Sequence, residues 1–183
     1  MPKLIILDRD GVINYDCADY IKSADEWEAL PGSLEAITRL NSAGYKVVIA
    51  TNQSGIGRGY FTIDALAEMN AKMRSLLAEK GGIIDAIFVC PHKPEDACHC
   101  RKPAPGMFEE IKRRYSIDQA TGIYAIGDSL RDLQAAETAG FKPWLVLTGN
   151  GNKTRKDPAF NPDTPVSDNL AVAVETILGS QHG

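Results

Sequence analysis

The sequence predicts an α/β protein built on a mainly parallel sheet. Short apolar runs of strand length alternate with longer segments of helical periodicity, and glycine or proline punctuates most of the junctions between them. Such alternation implies parallel strands joined by right-handed helical crossovers.

Taken in order, Leu4 to Leu7 is a β-branched-rich run suited to a strand buried on both faces. A helix is expected from about Ser33 to Ala43, with Leu34, Ile37 and Leu40 at helical spacing and Gly44 closing it. Val47 to Ala50 is the second strand. Thr62 can cap a long helix that turns Leu66, Met69, Met73, Leu76 and Leu77 inward and stops at Gly81-Gly82. Ala86 to Val89 is the third strand. A helix from about Gly106 to Tyr115, a strand from Ile123 to Ile126, a helix from about Leu130 to Ala139 stopped by Gly140, and a strand from Trp144 to Leu147 follow. Thr148 to Pro165, rich in Gly, Asn, Lys and Pro, reads as a long loop, and Asp168 or Asn169 opens a final helix. A chain of this length buries about 70% of its unfolded surface, so residues 1–183 are expected to form one domain.

A net charge of −4 and a pI of about 5.4 argue against a broad basic footprint for nucleic acid or an anionic membrane. No apolar run approaches the ~20 residues that span a bilayer, and the first is too short for a signal-peptide core. A cytoplasmic location is expected. Nothing in the patterning demands a dimer, and a monomer is expected.

The chemistry gathers where strands end. The first run empties into Asp8-Arg9-Asp10-Gly11, two carboxylates followed by a glycine that lets the chain turn. Such a pair can hold a divalent cation and present one oxygen as a nucleophile. The second strand ends in Thr51-Asn52-Gln53-Ser54-Gly55, the fourth in Gly127-Asp128-Ser129 with Asp132 following, and Arg101-Lys102-Pro103 lies between them. In an open α/β sheet the carboxyl ends of the strands are where ligands sit.

Three of the four cysteines fall in the eleven residues from Cys90 to Cys100. In a chain expected in the cytosol, this clustering points to metal. Cys90, His92, Cys98 and Cys100 supply three thiolates and an imidazole, a closed tetrahedral set for structural Zn2+. His92 is assigned over His99 because both neighbours of His99 are themselves proposed ligands.

These strand-end motifs, in this order, resemble the haloacid dehalogenase-like (HAD) phosphatase superfamily. The resemblance implies a three-layer Rossmannoid HAD fold with strand order 5-4-1-2-3, which gathers Asp8, Thr51 and Asp128 at one crevice. About twenty residues separate Asp10 from the first helix, too few for a large inserted cap, so the fold is expected to be capless, with the zinc loop as one wall. The implied reaction is phosphomonoester hydrolysis with Asp8 as nucleophile and Asp10 as general acid and base. Asp8, Asp128 and the backbone carbonyl of Asp10 hold catalytic Mg2+. Thr51, the Asn52 amide and Lys102 meet the phosphoryl oxygens, and Asp132 orients Lys102 or a metal-bound water.

Within that superfamily, Thr51 to Gly59, the cysteine-histidine loop and Cys100-Arg101-Lys102-Pro103 resemble the capless phosphatases of D-glycero-D-manno-heptose 1,7-bisphosphate, which release the 7-phosphate in the making of nucleotide-activated heptose and lipopolysaccharide. The implied partner is a small sugar bisphosphate. Arg58 and Arg101 suit its second phosphate, because a guanidinium matches a phosphate fork. Asp16, Asp19 and Tyr20 are expected to read sugar hydroxyls, and Asn52, Gln53, Ser54 and Ser129 to complete the substrate site. Histidinol-phosphate phosphatases, which share the zinc loop, are the alternative within the family. A non-catalytic zinc-bearing HAD module is the alternative outside catalysis.

Overall fold

The computed structural model describes residues 3–180. Six strands, β1 (Leu4–Leu7), β2 (Lys46–Asn52), β3 (Ala86–Cys90), β4 (Tyr124–Gly127), β5 (Lys142–Val146) and β6 (Val166–Ser167), form one sheet in the order β3-β2-β1-β4-β5-β6. Every pairing is parallel. Among the described residues seven α-helices connect and cover it: α1 (Ser33–Ser42), α2 (Ser54–Gly57), α3 (Ile63–Glu79), α4 (Gly106–Arg114), α5 (Leu130–Thr138), α6 (Gly151–Thr154) and α7 (Leu170–Gly179).

The three layers follow from the two-residue period of the strands. Ile5 and Leu7 of β1 join Val47, Ile49 and Val146 in a core closed by α1, α3 and α7, where Ile37, Leu40, Met69, Met73 and Ile177 are buried. Leu4 and Ile6 point the other way, into a core with Val48, Ala50, Met107, Phe108 and Ile111 that α4 and α5 cover. With both faces covered, the strands read as continuous apolar runs. Helix starts are set by side chains: Thr62 Oγ1 accepts from the Ala65 N–H at 3.1 Å, and Asn169 Oδ1 from the Val172 N–H at 3.1 Å.

The expected order 5-4-1-2-3 is present, extended at one edge by β6. That strand pairs through two residues, Leu145 with Val166 and Val146 with Ser167, too few to leave a periodic trace in sequence. The expected loop from Thr148 to Pro165 is corrected in one respect, since it contains the single helical turn α6. The connection from β1 to α1 contributes no helix or strand among the described residues beyond isolated bridges of Asp10 with Asn14 and Asn14 with Ala29. Trp27, 1% exposed, anchors it to the core. No helix among the described residues is long and apolar enough to cross a membrane.

Candidate active site

Because β1 lies between β2 and β4, the residues following these three strands share one end of the sheet. The Asp8 N–H donates to the Ile126 carbonyl at 2.9 Å, holding the two acidic tips side by side. They open into a crevice of about 320 Å3 lined by Asp8, Asp10, Lys102, Asp128 and Asp132, among others. Carboxylate oxygens of Asp8, Asp128 and Asp132 lie within 4.8 Å of one another.

Lys102, 2% exposed, is the counter-charge. Its Nζ donates to Asp132 at 2.6 Å, Asp8 at 3.0 Å and the Ala50 carbonyl at 2.7 Å, which uses all three donors of an ammonium. Burial opposes its charge, but Asp132 and Asp8 outweigh burial and raise its pKa. Asp132 is fully engaged, with its second oxygen accepting from the Ser129 N–H and hydroxyl at 3.0 and 2.7 Å in a capping box that starts α5. Burial alone would raise its pKa, and Lys102 brings it below the ordinary carboxylate value.

Asp8 and Asp128 are left short of positive charge. Burial, with Asp132, Asp128 and Asp10 adding to it, pushes Asp8 well up despite Lys102. Burial and then Asp132 push Asp128 up to about 7. A buried and a half-buried carboxylate held close together at this cost form a site for a hard divalent cation. Their arrangement suits one: Asp128 Oδ2 takes the Asn150 N–H at 2.7 Å and Asp8 Oδ1 takes Lys102, so each residue keeps one oxygen free of hydrogen bonds among the described residues. Gly11 (φ +82°) and Gly149 (φ +55°) close on Asp128 from two sides, and a Cβ at either position falls 2.2–2.3 Å from Asp128 Oδ2. Only glycine combines that backbone angle with that approach.

Asp10 is held at both oxygens. Oδ1 accepts from Arg9 Nη2 and Asn14 Nδ2, both at 2.9 Å, and Oδ2 from Gln53 Nε2 at 2.7 Å. Arg9 is itself 1% exposed. Thr51 is buried and its hydroxyl accepts from Gln53 at 2.9 Å. Asn52 exchanges hydrogen bonds with the Lys102 backbone at 3.1 Å in both directions, tying β2 to the segment that carries the lysine.

The metal loop follows β3. Cys90 Sγ lies 3.6 Å from Cys98 Sγ and 3.1 Å from Cys100 Sγ, Cys98 and Cys100 are 3.6 Å apart, and His92 Nδ1 is 3.7 and 3.3 Å from Cys90 and Cys100. A tetrahedral zinc with bonds near 2.3 Å to sulfur separates its donors by about 3.5–3.8 Å; the Cys90–Cys98, Cys98–Cys100 and Cys90–His92 separations fall in that range, the two others to Cys100 are shorter, and with all four donor atoms within 4.8 Å of one another the set can hold one ion. His99 is outside this set, pairing with Glu109 at 2.7 Å.

A HAD-hydrolase-like family model matches residues 99–173. The D-glycero-beta-D-manno-heptose-1,7-bisphosphate 7-phosphatase of Bordetella bronchiseptica is 56% identical over 96% of this chain and 98% of its own length, and the enzyme of that name from Pseudomonas aeruginosa is 49% identical over 96% and 97%. The chain belongs to the heptose-bisphosphate phosphatase family of HAD-like hydrolases. A crystal structure of the B. bronchiseptica enzyme complexed with magnesium and phosphate superposes with a TM-score of 0.95 at 55% identity, covering 97% of this chain and 99% of that one.

Around this heptose-bisphosphate phosphatase fold the remaining expected residues divide. Asp16, Tyr20, Asn52, Gln53, Ser54, Arg101 and Ser129 line the crevice. Tyr20 packs on Tyr60 with ring centroids 5.2 Å apart and brings its hydroxyl within 3.5 Å of the Ser54 hydroxyl. Asp19 is exposed and is not among the lining residues. Neither is Arg58, which pairs with the exposed Glu95 at 3.5 Å, so the expectation that it joins the crevice is corrected. The turn of α2 carries it away from the strand tip. Asn150 and Arg131 are crevice residues that escape the sequence reading. Asn150 binds Asp128 and also donates to Asp16 at 3.3 Å, and Arg131 sits in the first turn of α5. Thr148 and Thr154 fasten the same loop, their hydroxyls donating to the carbonyls of Gly11 at 2.6 Å and Asp128 at 2.8 Å.

Removing one thiolate tests the metal loop of this family member. Cys98→Ser is expected to lower zinc content from one ion per chain to a small fraction by elemental analysis. It should also lower the thermal midpoint by several degrees, because a structural zinc contributes directly to folding free energy. A wild-type protein purified without zinc, and unaltered by added zinc, would overturn the assignment.

Proposed function

We propose that this protein is a Mg2+-dependent phosphomonoesterase that removes the 7-phosphate of D-glycero-beta-D-manno-heptose 1,7-bisphosphate, working in the cytoplasm as a monomer. The observation that carries the reading is the single crevice in which Asp8, Asp128 and Lys102 meet, in a chain 56% identical to a curated enzyme of that activity.

Asp8 is the nucleophile. One of its oxygens attacks phosphorus, the bond from phosphorus to the sugar oxygen breaks, and an aspartyl phosphate forms on Asp8. Asp10 hands a proton to the departing sugar oxygen and then takes one from the water that hydrolyses the acyl phosphate. The hydrogen bonds from Arg9, Asn14 and Gln53 fix the Asp10 carboxyl so that it faces the same point in both steps. A divalent cation, bound through the free oxygens of Asp8 and Asp128, supplies the positive charge that lets the anionic nucleophile approach an anionic phosphate. Lys102 compensates Asp8 and Asp132 together, so it can turn toward a phosphoryl oxygen while Asp132 keeps it in place. The four-ligand zinc loop is closed to substrate chemistry and acts as a rigid wall.

A panel of heptose 1,7-bisphosphate, fructose 1,6-bisphosphate and histidinol phosphate, compared by kcat/KM with Mg2+, tests the reading. The heptose bisphosphate should lead histidinol phosphate by about a hundredfold, the scale at which a well-made contact to a second phosphate discriminates, and should lead fructose 1,6-bisphosphate by its sugar contacts. A preference for histidinol phosphate would overturn the substrate, and absence of turnover on every phosphoester would favour a non-catalytic module.

A further inference from the structure

Two arginines face the same crevice from different elements. Arg101 comes from the zinc loop, where its Nη1 donates to the His92 carbonyl at 3.4 Å, and Arg131 comes from the first turn of α5. Both line the crevice, and both, with Lys102, also line an adjoining hollow of about 300 Å3 bounded by Pro94, Ala97 and Pro103. Neither is ion-paired with a carboxylate among the described residues.

This arrangement works against the free protein. The two guanidiniums carry like charge and line the same two hollows, so they repel. Arg131 also occupies the positive end of a helix, where a cation is disfavoured. It forms no side-chain hydrogen bond that offsets these terms among the described residues. An anion seated between the two side chains removes both penalties, and each guanidinium presents a fork that matches phosphate. The crevice thus carries carboxylates for a cation at the strand tips and two arginines that can take an anion, with Asp16 also in the lining.

We propose that Arg131 is a specificity-determining residue that forms, with Arg101, a two-guanidinium seat for the phosphate that is not hydrolysed. The proposal rests on the bisphosphatase reading above. It replaces Arg58, which pairs with Glu95 and is not among the lining residues.

The test is the ratio of kcat/KM for heptose 1,7-bisphosphate to that for heptose 7-phosphate. In Arg131→Gln the ratio should fall by about tenfold, carried by KM, as expected for loss of a charge-assisted contact to the far phosphate. Arg131→Lys should give an intermediate ratio, because the charge remains and the fork is lost. Combining Arg131→Gln with Arg101→Gln should cost less than the two single losses multiplied, since both arginines serve one phosphate. A wild-type ratio in Arg131→Gln, or strictly multiplicative losses in the double variant, overturns the shared seat. A wild-type enzyme that hydrolyses both substrates equally well removes the bisphosphatase reading itself, which the variants alone do not address.

Discussion

Asp8→Asn is expected to abolish turnover while the chain keeps its fold. The substitution is nearly isosteric, but an amide oxygen cannot form the acyl phosphate, so kcat should fall by at least about 10^4-fold, the scale of losing a covalent nucleophile. Stability should move the other way in the absence of a divalent cation. Asp8 is charged against burial and against Asp132, Asp128 and Asp10, and Lys102 only partly offsets them. Neutralising it relieves that cost, so with a chelator at about pH 8 the variant's thermal midpoint should equal or exceed that of the wild type. The pH dependence of the wild type has the same origin. In the folded state burial raises the pKa of Asp128 from 3.8 to about 7, so its contribution to stability is full below the lower value and is lost as pH rises through the upper one. Stabilisation by added Mg2+ should therefore grow between about pH 5 and pH 8, and Asp8→Asn should shrink that increment. Activity in the variant within tenfold of wild type would remove Asp8 as the nucleophile.

What the sequence discloses about this site depends on how locally each part is specified. The first strand and its two aspartates are contiguous, so an apolar run and its polar tip suffice to place them. The zinc loop is equally local, with four donors inside eleven residues at ligand spacing. Asp132 is legible as a partner of Lys102 or of a metal-bound water because it falls one helical turn after Asp128, and in the structure it lies 2.6 Å from Lys102. Asn150 is of another kind. It reaches Asp128 from 22 residues away, and Thr148 reaches Gly11 from 137 residues away, both from a Gly- and Asn-rich stretch with no periodicity. Arg58 misleads for a related reason, since the sequence shows that it follows the second strand tip but not that α2 turns it toward Glu95. Arg131 looks like the exposed side of an amphipathic helix until the fold brings Arg101 beside it.

Lys102→Met should be the most destabilising single change in the crevice. The ammonium is 2% exposed and is the cation that Asp132 and Asp8 contact, at 2.6 and 3.0 Å, so its removal strands one buried and one half-buried carboxylate. Breaking a buried pair by deleting one partner costs about 3–5 kcal/mol, which in a chain of this size lowers the thermal midpoint by roughly 6–20 °C. Under the proposed mechanism hydrolysis should fall with it, by about 10^3-fold, since the cation proposed to meet the transferred phosphoryl group is lost together with the ion pair that orients Asp8. The loss of stability carries a sign that separates it from a mere packing defect. In the wild type Lys102 holds the folded-state pKa of Asp132 down, so that contribution to stability exists above the ordinary carboxylate range and disappears only in acid. In the variant the pull of Lys102 is gone, and burial and mutual repulsion, opposed on Asp132 only by its two hydrogen bonds from Ser129, raise both Asp132 and Asp8, so the folded state loses stability as pH rises. Urea unfolding of the metal-free proteins should therefore show a gap between wild type and Lys102→Met that is small near about pH 4 and widens toward pH 8. Adding Asp132→Asn to Lys102→Met should recover part of the stability at pH 8 without recovering turnover, because one of the two stranded charges is gone while the catalytic cation is still missing. A gap of constant width across that pH range would mean that Lys102 holds the site together by its packing and not by its charge.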